Sequence, residues 1–515
     1  MKTCGNSFLF QWRETDDAES DEPVRVVMVT GAVMAEPTIS ECYRAVCGQH
    51  GIQINPLVLE NLQKTPTTRS FTLKLAGNNK QKGCQKLCDD DIFALSKCLQ
   101  NNWTVTGLDL RYDNVSDAGV GHLADLLEVE DSALRSLDLT FNNIQTEGAK
   151  VLANCLQGNS SLLSLRLSGN KIGNIGAMHL ASMLLVNRKL QKLELADCDL
   201  ETPSVIALSV ALKTNTTLRS VDLSRALLFS FQEEWAVCFS EMFRVNGTLV
   251  ELHLGKMGLT DTGMERLAEG LMQNHSLRYL DLRCNRVTHD GAQHLAGVLK
   301  QNTVIEIVDL SSNRIEDVGA EYLSDAISWP GCVLRELSVC RNSIRMKGLL
   351  SLAEALKINP TLTHVYIWGN RLEEPVCRAF KELISSGRLM PQRTDIRPYE
   401  VDGQVFLAEV FWGLRKHNYC TDDNCQNTRS DSNTRMFLFF VLYCSCRPSC
   451  DPTVQRCIAS RASAGIRGRA PSSADSQAEQ GAEAKGRRLT SASSSEPRPP
   501  AANSADQPAS PTEPL

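Results

Sequence analysis

One eleven-residue phrase, L-x-x-L-x-L-x-x-N-x-L, recurs ten times in this chain, its first apolar anchor falling at Val105, Leu134, Leu162, Leu190, Leu218, Leu249, Leu277, Ile305, Leu334 and Leu362. Successive anchors stand 29, 28, 28, 28, 31, 28, 28, 29 and 28 residues apart. A fixed period of that length marks a solenoid, in which each unit buries its apolar side only against its neighbours. Such a chain escapes the usual limit of roughly 100–200 residues per globular core. All 515 residues therefore need not divide into several domains.

Each repeat has two halves. In "LRSLDLTFNNI" at 134–144, Leu137 and Leu139 alternate with Ser136, Asp138 and Thr140, so the leucines pack on one side of a short strand and the others face solvent. Gly148-Ala149 then precedes Leu152, Ala153 and Leu156, the spacing of one helix face. A strand and a helix per unit predict an α/β solenoid bent into a horseshoe, with parallel strands on the concave face and helices on the convex face.

Asn142, Asn170, Asn285, Asn313, Asn342 and Asn370 end the phrase. An amide there both donates to and accepts from backbone groups left unpaired by the turn, which makes these residues scaffold. Asp113, Cys198, Ala226 and Met257 replace them in four units. Ala226 and Met257 lack the bonding groups, so irregularity is expected over 224–259, where the 31-residue unit also lies.

The flanks read differently. Residues 1–36 are expected to be disordered, apart from an apolar stretch at 24–29 with no evident pairing partner. In 37–66, "TISE" from Thr38 is a capping box, and Val46, Leu57, Leu59 and Leu62 continue as a helical N-terminal cap. Repeats occupy 67–388, beginning with a degenerate unit at Ser70, Leu73, Leu75 and Asn78 and a small insertion near 81–91. Residues 389–420 read as a C-terminal cap containing a hairpin at Asp402-Gly403. The tail, 421–515, is rich in Ser, Ala, Pro, Arg and Gly and is expected to be disordered.

Composition narrows the function. A net charge of −6 argues against a nucleic-acid binder, which needs clustered Lys and Arg, and leaves proteins as the expected partners. Residues 1–23 carry no secretory pattern, so the 19 cysteines are expected to be reduced, intracellular thiols. The N-x-[ST] matches, such as Asn159 and Asn215, are mostly by-products of the helix-to-strand junction. The longest apolar run, 436–444, is far shorter than the ~20 residues of a membrane helix.

Catalytic constellations are missing: the chain has no G-x4-G-K-[ST], H-E-x-x-H or G-x-S-x-G. Cys444, Cys446, Cys450 and Cys457 lack the paired C-x2-C knuckles of structural zinc, as do Cys42/Cys47 and Cys84/Cys88. No catalytic residue, metal or cofactor is expected.

The residue between the two leucines of each strand forms a column across the concave face: Asp109, Asp138, Arg166, Glu194, Asp222, His253, Asp281, Asp309, Ser338 and Tyr366. Six of the ten are acidic, suited either to a protein partner or simply to solubility. Tyr279 and Ile307 on one flank, with His364, Tyr366 and Trp368 in the last strand, add large side chains suited to an interface. Alternatively, Tyr366 and Trp368 pack under the C-terminal cap against Phe406 or Trp412.

The period and the "G-A-x-x-L-A-x-x-L" helices resemble the ribonuclease-inhibitor-like class of intracellular leucine-rich repeats. More narrowly, "IQINPLVLENL" and "DIRPYEVDGQVFLAEV" resemble the caps of the leucine-rich repeat-containing protein 34 family. That resemblance implies a protein of nucleus, nucleolus and cytoplasm in germ cells and pluripotent stem cells. It further implies a role in differentiation and ribosome biogenesis, with nucleolar partners of the nucleophosmin kind. Beyond about Thr421 the chain departs from the family pattern, as an alternative splice form or a gene-model artefact would, and Arg487-Arg488 is a small basic pair.

These readings converge on a non-enzymatic scaffold that binds protein on its concave face. The alternative is a regulator of a partner enzyme, an inhibitor or GTPase activator, for which Arg166 and Arg283 are the arginines to test.

Overall fold

The computed structural model describes residues 38–64, 70–78, 85–129, 132–228 and 233–410. The segment 1–36, residues 411–420 of the C-terminal cap with Trp412, and the tail with Cys444 to Cys457 and Arg487-Arg488 lie outside the described residues.

Eleven short strands are β1 (Phe71–Lys74), β2 (Val105–Asp109), β3 (Ser136–Asp138), β4 (Ser164–Arg166), β5 (Lys192–Glu194), β6 (Ser220–Asp222), β7 (Glu251–His253), β8 (Tyr279–Asp281), β9 (Ile307–Asp309), β10 (Glu336–Ser338) and β11 (His364–Tyr366). They form one parallel sheet in chain order. Two cap helices, α1 (Ile39–His50) and α2 (Pro56–Gln63), precede it. Between and after the strands run α3 (Asp89–Leu99), α4 (Asp117–Leu127), α5 (Thr146–Gly158), α6 (Gly173–Val186), α7 (Thr202–Thr214), α8 (Glu234–Val245), α9 (Asp261–Leu271), α10 (His289–Gln301), α11 (Glu316–Ile327), α12 (Met346–Ile358) and α13 (Glu374–Ser385). The chain is thus a solenoid of strand-helix units, with the repeated leucines buried between the two layers.

The predicted capping box is present: the Thr38 hydroxyl accepts from the Glu41 N–H while the Glu41 carboxylate accepts from the Thr38 N–H. At the other end β12 (Ile396–Val401) and β13 (Gln404–Glu409) pair antiparallel. Asp402 and Gly403 turn between them, both left-handed, at φ 50° and 76°.

Three side-chain ladders tie unit to unit. At the strand ends, Asn313 Nδ2 donates to the carbonyls of Leu282 and Leu310, 2.9 and 2.8 Å away, and its Oδ1 accepts from Val287 N–H at 3.1 Å. At the helix-to-strand junction, Asn302 donates to the Leu271 and Asn274 carbonyls and accepts from the Val304 and Ile305 N–H groups. Asn215, Asn246 and Asn274 do the same, so these N-x-[ST] asparagines are buried structural groups.

The third ladder caps helices from the preceding repeat. Asp261, in the first turn of α9, accepts from the Thr288 and Gly291 N–H groups at 2.7 and 2.9 Å, satisfying donors that the start of α10 leaves orphaned. Asp89 serves α4 and Asp317 serves α12 in the same way. A Cβ on Gly291 would stand 2.5 Å from Asp261 Oδ1, which explains the glycine of the G-A motif.

The irregularity expected over 224–259 does not reach the sheet. β6 and β7 keep the common register, Ser220 beside Glu251 and Asp222 beside His253. Asn285 of the next unit accepts from both Met257 and Leu259 N–H, doing locally what Met257 cannot. The long unit also fills its interior with Trp235, Phe239 and Phe243 from α8, all buried.

Candidate functional site

The helices cover one face of the sheet; among the described residues no helix or strand covers the other. On that open face the parallel register draws the predicted column into one unbroken line from Asp109 through Asp138, Arg166, Glu194, Asp222, His253, Asp281, Asp309 and Ser338 to Tyr366. Tyr279 lies in the adjoining column between Glu251 and Ile307. Trp368 follows two residues after Tyr366.

The column is not a row of solvated acids. Asp109, Asp138, Asp222, His253, Asp281 and Asp309 are buried, as are Tyr279, Ile307 and Tyr366, and Thr140 beside Asp138 is buried too. Parallel strands stand ~4.8 Å apart, so each side chain is covered by those above and below. The expectation that the alternate positions face solvent fails for that reason.

Several of the aspartates also have a local backbone task. Asp138, Asp222, Asp281 and Asp309 each accept from the N–H two residues further on, at 2.9 to 3.1 Å, closing the end of their strands. This bond accounts for Asp at this position without reference to any partner.

Cations compensate the carboxylates. Arg111 lies 2.7 Å from Asp109 and 3.4 Å from Asp138, and Arg166 lies 3.2 Å from Asp138 and 3.4 Å from Glu194. Lys192 pairs with Glu194 at 3.1 Å, and Arg283 with Asp281 at 2.9 Å. Lys192, Glu251 and Arg111 escape a reading confined to the middle column. Period-two alternation could have found them, since all alternate positions share this face.

The tightest cluster surrounds His253. Its Nε2 is 2.6 Å from Glu251 and its Nδ1 is 3.0 Å from Asp281, while its ring stands edge-on to Tyr279 at 4.9 Å. Burial opposes charge on the imidazole, but bonds to Asp281 and Glu251 overcome it and lift the pKa to about 9. Burial likewise opposes charge on Asp281, yet Arg283 and His253 hold its carboxyl down at about 2. His253 is therefore a fixed imidazolium between two carboxylates at neutral pH. Burial, and next the neighbouring Asp281 charge, raise the Asp309 pKa.

What remains accessible at the outer edge of this network is part of the arginines: the side chains of Arg111, Arg166 and Arg283 are 28–32% exposed, although Arg166 Nε is buried. At the far end His364 and Trp368 are half-buried. There the C-terminal cap runs beside β11: Asp395 accepts from the Ile367 and Trp368 N–H groups at 3.0 and 2.9 Å and from the Cys340 thiol at 3.0 Å. Phe406 is not beneath them but stacks on Tyr399 at the surface.

Among the described residues no group of three His, Cys, Asp or Glu side chains is arranged to hold a metal ion, and no helix is long and apolar enough to cross a membrane.

This architecture defines a leucine-rich repeat protein, a class whose repeats bind proteins. The leucine-rich repeat family model matches residues 132–153, 158–181, 186–209, 273–296 and 301–324. The chain is 47% identical over 404 residues to leucine-rich repeat-containing protein 34 of Homo sapiens, covering 77% of this chain and 87% of that protein. It is 42% identical over 385 residues to the Mus musculus protein of the same name, covering 73% and 92%. An internalin from Listeria monocytogenes matches with 16% identity and a TM-score of 0.35, over 65% of this chain and 89% of that one. The chain belongs to the leucine-rich repeat-containing protein 34 family.

Proposed function

We propose that this protein is a non-enzymatic scaffold whose open sheet face binds a protein partner carrying an acidic segment. One observation carries the reading. On a face left uncovered, the carboxylates of Asp109, Asp138, Glu194 and Asp281 are 0–12% exposed and paired with cations, while the side chains of Arg111, Arg166 and Arg283 stay 28–32% exposed. The carboxylates then act as positioning groups. Asp109, Asp138, Glu194 and Asp281 hold the arginines in place, with Asp222, His253, Tyr279 and Asp309 beside them on the same face, and His364 and Trp368 extend the contact at the last strand.

Guanidinium is the group best suited to bidentate recognition of carboxylates, and its pre-positioning lowers the entropy lost on binding. An acidic partner fits this face better than the raw sequence of the column suggests. The resemblance of the two caps to the leucine-rich repeat-containing protein 34 family implies the nucleus, nucleolus and cytoplasm of germ and stem cells as the setting, differentiation and ribosome biogenesis as the process, and nucleolar proteins of the nucleophosmin kind as partners. An arginine finger for GTP hydrolysis is a poorer use of Arg166 or Arg283, because each would have to leave buried carboxylates.

Proximity labelling in germ or stem cells tests the setting. Nucleolar proteins with acidic tracts should be enriched by the wild-type chain and reduced by Arg166→Gln with Arg283→Gln. Labelling confined to proteins without such tracts would contradict it.

A further inference from the structure

The helix layer carries carboxylates in most repeats and loses them in two. Glu269 of α9, Asp325 of α11 and Glu354 of α12 occupy one equivalent, exposed position of the helix. Asn154 of α5 and Gly297 of α10 are uncharged there too, and in α6 and α7 the position is Ser182 and Val210. Neither helix contains any Asp or Glu, and the one Lys, Lys213, is paired with Glu241 of α8.

Between them lies a groove of about 370 Å³ lined by Met178, Leu185, Val210 and small residues. Leu185 and Val210 in its wall are 47% and 48% exposed, and Ile175 and Val186, elsewhere on α6, are 62% and 56% exposed. An apolar patch this continuous on the outside of a folded unit marks an interaction surface.

We infer that this face of α6 and α7 is the interface through which two copies of the chain associate. The first reason is charge. A twofold axis sets a surface against itself, and a chain of net charge −6 repels its own copy wherever carboxylates meet. The α6/α7 face, having no carboxylate, escapes that penalty. The second reason is area. Helices of this length are ~20 Å long and pack ~10 Å apart. The face of these two helices then spans on the order of 400 Å², at the low end of what each partner contributes, the size of a weak and reversible interface. Ridges of one helix pair can enter the groove of the other. The association leaves both open sheet faces free, so the dimer is bivalent for whatever the sheet binds.

Sedimentation velocity on the full chain, between roughly 1 and 100 μM, tests this. A monomer–dimer equilibrium is expected. Leu185→Glu with Val210→Glu should raise its dissociation constant roughly thirtyfold or more, the usual cost of losing an interface anchor. Gln293→Glu, on the outward side of α10, should leave it unchanged. Both substituted side chains are about half exposed, and a thermal melt checks that the variant folds; Leu185→Gln alone serves if it does not. A monomer at every concentration overturns the inference. So does a dimer that ignores substitutions at Leu185 and Val210.

Discussion

Arg166 lies 3.2 Å from the Asp138 carboxylate on the neighbouring strand, the acid almost wholly buried and the arginine side chain 32% exposed. The pair separates two tasks that a column of residue letters merges: the acid holds, and the base is presented. Asp138 also accepts from Thr140 N–H at 3.1 Å and its hydroxyl at 2.6 Å, so its position is fixed independently of Arg166.

Protonation of His253 supplies a pH signature. Its folded pKa of about 9 exceeds the ordinary 6.5, so the folded state holds the proton more tightly. The stabilisation, about 3 kcal/mol, is complete below the unfolded pKa and is lost as pH rises through the folded one. Thermal midpoints should fall between pH 7 and 10 in the wild type, and this part of the fall should vanish in His253→Gln. A histidine resonance assigned to His253 that titrates near its ordinary value would refute the assignment.

Asp113 sits where most repeats have asparagine. Its Oδ1 accepts from Leu87 N–H at 2.9 Å, but its buried Oδ2 finds no partner, in the seat where Asn142 Nδ2 donates to two carbonyls. Burial raises its pKa from 3.8 to about 7. A folded pKa above the unfolded one means stability falls as pH climbs between those values. Asp113→Asn should therefore stabilise the N-terminal repeats by about 2 kcal/mol at pH 8 and by little at pH 4. Denaturant melts at the two pH values decide it, and equal gains at both would contradict the account.

Inter-repeat capping predicts a non-additive pair. Asp261→Ala removes the cap of α10 and should cost about 1 kcal/mol. Gly291→Ala should cost about 2 kcal/mol, because its Cβ would collide with that same carboxylate. On the Asp261→Ala background the Gly291→Ala cost should shrink markedly. Strictly additive losses in urea melts would mean the glycine is needed for another reason.

Much of the fold was legible because repetition averages away local ambiguity: every anchor from Val105 to Leu362 stands at or just before a strand. The capping box at Thr38 and the turn at Asp402-Gly403 were legible from local chemistry alone. The Asp261 cap was not, since donor and acceptor lie 27 residues apart and only stacking brings them together. The column was legible as a line but not as an environment. Alternation assigns Asp281 to a face, while its burial comes from His253 and Arg283, which reach it from a neighbouring strand and from two residues further along the chain, past the end of its own strand.

The central claim is that arginines poised over buried carboxylates bind an acidic partner. Its most direct test is a calorimetric titration of the purified chain with a nucleolar protein of the nucleophosmin kind, with and without its acidic tract. The account predicts binding that weakens with salt and needs the tract, with a Kd raised at least roughly tenfold by Arg111→Gln, Arg166→Gln and Arg283→Gln together. Binding that persists without the tract, or a Kd indifferent to those three substitutions in a folded variant, would contradict it.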